Sequence, residues 1–130
     1  MNFSFSGLKT AILYFIRDAE NKDPKFLQDN IYDISASIQK RIVSILLNKL
    51  KRASDETGIK EICLAGGVSA NRGLRSSLTE MGMRERWRTY IPAFQYCTDN
   101  AAMIAITGYY KFLNKDFDEL DVKVTARADW

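Results

Sequence analysis

The sequence predicts an α/β domain that is mostly helical and carries only a minimal sheet. Three observations predict it. Four stretches place apolar residues at the i, i+3, i+4 spacing of a helix buried on one side. Only two or three short stretches read as strands. One of those strands runs through a Gly-Gly turn straight into a helix, within Glu61 to Arg72, and the rest of the chain is organised around it.

The opening, Phe3-Ser4-Phe5-Ser6-Gly7, alternates aromatic and small polar residues and reads as an extended end or loop. From Leu8 the period turns helical, with Leu8, Ala11, Ile12, Phe15, Ile16 and Ala19 on one stripe and Ser6 as candidate cap. Asn21-Lys22-Asp23-Pro24 breaks that helix, since proline suits the first turn of a new one. The second helix is expected from Pro24 or Gln28 to about Asp55, with Gly58 as its stop. Its apolar band, from Leu27 to Leu50, is wide enough to require more than one neighbour.

Ile62 to Ala65 is the expected buried strand, and Ser69 the candidate cap of a helix that turns Leu74, Leu78 and Met81 inward. Such a strand, turn and helix would aim backbone N–H groups and a positive dipole end at an anion. After Gly82 comes a polar, basic run from Arg84 to Arg88, then a second strand over Arg88 to Ile91 that stops at Pro92. Thr98 reads as the cap of a last helix, with Asp99 in its first turn. Ala101, Ala102, Ala105 and Gly108 permit close packing there, before Tyr109 and Phe112. One more strand is expected near Val122 to Val124. Two strands alone make a poor sheet, so the chain is either a helical domain with a remnant sheet or one part of a larger α/β lobe.

At 130 residues the chain is expected to be one globular domain over 1–130, or a piece of one. A net charge of +3 permits nucleic-acid contact without demanding it. Cys63 and Cys97 lack the short-range partners of zinc or redox motifs and read as reduced structural thiols of a cytosolic protein. No apolar run is long enough to span a membrane. Histidine is absent, so an imidazole base or metal ligand would have to come from elsewhere.

Three stretches can carry chemistry, and each also has a plain structural reading. The Gly66-Gly67 turn with Asn71 is either a nucleotide site or an ordinary turn with Asn71 solvated. Asp99 in Thr98-Asp99-Asn100 is either a dipole partner or a hard oxygen ligand for a metal, and one carboxylate cannot hold a transition metal alone. The Phe3 to Thr10 stretch is either a phosphate loop or a helix cap. Arg72, Arg75, Arg84, Arg86 and Arg88 read as an RNA-phosphate patch or as a solvated charged face.

Taken together, these stretches are more specific than any one of them. Phe3-Ser-Phe-Ser-Gly-Leu-Lys-Thr10, Ala65-Gly-Gly-Val-Ser-Ala-Asn71-Arg-Gly-Leu-Arg75 and Cys97-Thr-Asp-Asn-Ala-Ala-Met103-Ile-Ala105 resemble, in order and spacing, the TsaD family. These are tRNA adenosine threonylcarbamoyltransferases, once labelled O-sialoglycoprotein endopeptidases or glycoproteases. Thr125 to Trp130 is similar to that family's closing Ala-Arg-Pro-x-Trp segment, with Ala128 where proline is usual.

The resemblance implies an actin-like/Hsp70-like ATPase fold (ribonuclease H-like) of two lobes, of which this chain holds an incomplete C-terminal lobe. By that resemblance the N-terminal lobe, its His-x-x-x-His metal motif and the first strands of the second lobe lie outside this chain, which would account for the absent histidines and the undersized sheet. Residue by residue, Asn71, beside Gly66 and Gly67, matches an asparagine that contacts the adenylate substrate. Asp99 matches the carboxylate that completes an iron or zinc site with two histidines this chain lacks. Asn71 and Asp99 are then expected to border one crevice.

The implied reaction moves a threonylcarbamoyl group from threonylcarbamoyl-adenylate to an anticodon-loop adenosine of tRNA, in the cytoplasm and with partner subunits. The chain alone is expected to be inactive, to bind adenine nucleotide weakly or not at all, and to self-associate through apolar surface left by the cut sheet. The alternatives are a non-catalytic actin-like lobe that binds nucleotide or a partner, and the older metallopeptidase reading. The second lacks a visible general base.

Overall fold

A computed structural model describes residues 5–121 and 123. The Phe3-Ser4 pair, the strand expected near Val122 to Val124 and the Thr125 to Trp130 segment rest on residues outside that set. In chain order the elements are α1 (Phe5–Lys22), α2 (Phe26–Thr57), β1 (Glu61–Cys63), α3 (Arg72–Glu85), β2 (Arg88–Tyr90) and α4 (Ala101–Leu113). Turns of 3-10 helix at Gly67–Ala70 and Phe94–Tyr96 interrupt the two loops that leave the strands.

α1 and α2 form a helical hairpin. Asp23 Oδ1 accepts from the Lys25 backbone N–H at 3.0 Å in the connection, and Phe15 meets Phe26 edge-on at 6.0 Å across it. Pro24 therefore sits in the turn, just ahead of the helix it was expected to begin. Ser6 lies within α1 instead of capping it. α2 stops where expected, because Gly58 adopts φ 72 and its N–H closes on the Ser54 carbonyl. As its wide apolar band requires, α2 packs against α1 on one side and α3 on the other.

β1 and β2 pair in parallel, Ile62 opposite Thr89, and form the whole sheet among the described residues. The strand expected to be buried is buried only at Ile62, because no further strand flanks it and Glu61 and Cys63 face outward. Leu47, Ile62, Leu74, Leu78, Met81 and Trp87 make the core, edged by Val43, Leu46, Leu50, Leu64 and Ile91. Trp87 lies inside the stretch that reads as a basic run, so one aromatic there anchors β2 to the core. α3 continues through Gly82 to Glu85 and ends on Arg86 in the left-handed conformation, φ 57. α4 has no buried residue and no extensive packing on any other element.

Candidate functional site

The chain leaves both strands on the same side, as parallel pairing dictates, so the loops after β1 and β2 lie next to each other. Leu64 N–H still donates to the Tyr90 carbonyl at 2.9 Å, and beyond that bond the loops diverge. Between them opens a cavity of about 870 Å³. Leu64, Ala65, Gly66 and Gly67 line one wall, and Ile91, Pro92, Tyr96, Thr98 and Asp99 the other, with Met103 of α4 at the rim. That size lies in the range of small-molecule and cofactor sites, and most of its walls are apolar.

Gly66 holds φ 79, which a side chain rarely tolerates. A Cβ on either Gly66 or Gly67 would meet nothing within 4 Å, so the turn is a bare backbone floor open to a ligand. Asp99 is exposed on the facing wall and makes no ion pair among the described residues. The structure thus brings Gly66, Gly67 and Asp99 together.

Asn71 is not part of that cavity. Its Oδ1 accepts from the Leu74 N–H at 2.9 Å and so caps α3, the role expected of Ser69. Its Nδ2 donates to Gln39 Oε1 at 3.3 Å, in a separate groove of about 290 Å³ between α2 and α3. The single crevice expected for Asn71 and Asp99 therefore holds for the glycines and Asp99 only. The reason is local: a turn of 3-10 helix separates Gly66 from α3, and the side chain that ends it satisfies the helix N-terminus. The same cap occupies one of the N–H groups, that of Leu74, which were expected to face an anion. At the other loop, Asn100 and not Thr98 caps α4, its Oδ1 accepting from Met103 N–H at 3.2 Å.

Three of the five arginines are engaged within the chain. Arg84 pairs with Glu85 and Arg88 with Glu61, while Arg75 is half-buried among backbone carbonyls. Arg75 is the residue that sequence reasoning placed wrongly on the surface. The signal available for it was its place one turn after the Asn71 cap, which returns its side chain toward the Gly66–Ala70 turn. Both cysteines are free; Cys97 is buried and Cys63 exposed, and both line the cavity.

A transition metal needs several donors, and among the described residues no three of His, Cys, Asp and Glu converge. Asp99 can offer one oxygen, so these residues alone do not hold such an ion.

A family model described as TsaD, tRNA N6-adenosine threonylcarbamoyltransferase, matches residues 1–106. The chain belongs to the TsaD family. A tRNA N6-adenosine threonylcarbamoyltransferase of Christiangramia forsetii is 50% identical over 127 residues, covering 98% of this chain and 37% of that protein. The protein of the same name from Phocaeicola vulgatus is 50% identical, with 98% and 38% covered. That of Thermosipho africanus is 46% identical, with 83% and 31% covered. The chain thus spans little more than a third of the length of such relatives. No helix among the described residues is long and apolar enough to cross a membrane.

Proposed function

We propose that this chain supplies one wall of the adenylate site of a tRNA threonylcarbamoyltransferase, as the C-terminal part of an actin-like lobe. The observation that carries the reading is the cavity where the bare Gly66-Gly67 backbone faces Asp99. The glycine floor lets a ribose or phosphate lie against main-chain N–H groups, and the Leu64, Ile91 and Tyr96 surfaces suit an adenine ring and exclude water from it. Asn71 acts as the cap that fixes this floor, and its Nδ2 keeps a second N–H beside the one given to Gln39 with which to meet a ligand.

Asp99 provides one oxygen ligand of an iron or zinc ion whose other donors this chain lacks. The acceptor is an anticodon-loop adenosine of tRNA, the complete protein works with partner subunits in the cytoplasm, and this chain by itself is inactive. The nucleotide-only alternative, an actin-like lobe without chemistry, would use the same floor and leave Asp99 idle.

Asp99→Ala in the complete protein separates the two. Metal content and transfer of the threonylcarbamoyl group to tRNA should both be lost while adenine-nucleotide binding persists. A variant that keeps metal and transfer would refute the role given to Asp99.

A further inference from the structure

We propose that Arg75 is a positioning residue, the clamp that sets the spacing between the two walls of the cavity; this rests on the nucleotide reading above. Beyond Leu64 and Tyr90 the loops leave the sheet, and among the described residues no backbone hydrogen bond joins 65–71 to 91–100. One side chain spans them. Arg75 Nη1 donates to the Ser69 carbonyl at 2.9 Å, just behind the glycine floor. Its Nη2 donates to the Pro92 carbonyl at 2.6 Å, at the start of the opposite wall.

Nη1 also approaches Cys97 Sγ at 3.7 Å, and the guanidinium lies over the Phe94 ring at 4.3 Å from its centroid. Cys97 is 2% exposed and stands two residues before Asp99, so the clamp fixes the chain that presents the carboxylate. Arg75 is itself anchored in α3 immediately after the Asn71 cap. A planar fork with two donors on separate nitrogens meets two carbonyls from different loops, and a flat cation stacks on an aromatic ring. An ammonium is a compact point charge that holds no rigid planar fork and cannot stack flat on a ring, so lysine is a poor replacement for arginine here.

The test uses the complete protein, AMP as probe, and the variants Arg75→Lys, Phe94→Leu and Arg84→Lys. Arg75→Lys should weaken AMP binding about tenfold, the order expected for losing a charge-assisted hydrogen bond that orders the site. Amide exchange should speed up in 65–70 and 92–98 and stay slow in α2 and α3. Phe94→Leu should give a smaller effect in the same segments, and Arg84→Lys none.

Unchanged exchange in both loops of Arg75→Lys would overturn the clamp. Faster exchange throughout α2 and α3 would also overturn it, by making Arg75 a general stabiliser. If wild type fails to bind AMP, the nucleotide reading falls, and the exchange data still decide whether Arg75 ties the loops.

Discussion

α3 and α4 are helices of similar length, yet the narrow apolar stripe of α3 and the broad apolar surface of α4 have opposite surroundings. Leu74, Leu78 and Met81 of α3 are all buried against α2, the sheet and Trp87. In α4, Met103, Ile104, Ile106, Tyr109, Tyr110, Phe112 and Leu113 are all exposed, Ile104 at 77%. A helix that is apolar round most of its circumference is built to be enclosed. The comparison teaches that apolar content tells whether a helix is meant for a core, and only its neighbours tell whether that core is in the same stretch of chain. These α4 side chains leave a broad apolar surface exposed among the described residues.

The contrast can be broken most forcefully in the packed half. Leu78, at 1% exposure, is among the most deeply buried side chains, so Leu78→Ala should cost roughly 2–5 kcal/mol in urea unfolding of this chain. Ile104→Ala should stay within about 0.5 kcal/mol by the same measurement. Equal losses would mean that α4 is packed.

Glycines give a second, smaller contrast. A Cβ at Gly82 would lie 2.7 Å from Thr89 Cγ2, on a short β-branched side chain that has little freedom to move away, so Gly82→Ala should destabilise by about 1–3 kcal/mol. A Cβ at Gly108 meets nothing within 4 Å, and Gly108→Ala should instead strengthen α4 by up to about 1 kcal/mol, visible as added helicity by circular dichroism.

The smallest effect is electrostatic. Lys51 Nζ lies 2.8 Å from Glu85 Oε2 and ties α2 to the end of α3, holding the Glu85 carboxyl below its ordinary value. A lowered carboxylate contributes its stability above the ordinary Glu range and loses it as pH falls through the lowered value. The Lys51 ammonium, raised first by Glu85 and then by Asp55, keeps its share until pH climbs past the ordinary lysine value. Glu85→Gln should flatten the acid limb of a stability-against-pH curve slightly, and salt should mask the difference.

Periodicity made the helices legible. The three helices and the Gly58 stop lie where the spacing puts them, and the α3 stripe is buried throughout, whereas Phe15 and Ile31 of the expected α1 and α2 stripes are exposed. The caps were misread. Ser69 and Thr98 are as competent as Asn71 and Asn100, and which one faces the helix depends on 3-10 turns that leave no mark in the sequence. Trp87 was hidden by its charged neighbours, since an apolar residue alone in a basic run shows no period.

At the site, the meeting of the glycine turn with Asp99 was legible through family resemblance and is a direct consequence of parallel pairing. The exclusion of Asn71 and the inward turn of Arg75 were not. The first depends on a 3-10 turn and a cap that the spacing does not reveal, the second on a long-range partner, the Pro92 carbonyl.

Photolabelling of the complete protein with an azido-adenine nucleotide, followed by peptide mapping, tests the cavity directly. Label should concentrate in peptides covering 63–67 and 90–103, and unmodified AMP should compete it away. Competable label confined to the groove between α2 and α3 that holds Asn71, or spread evenly over the surface, would contradict the assignment of this cavity.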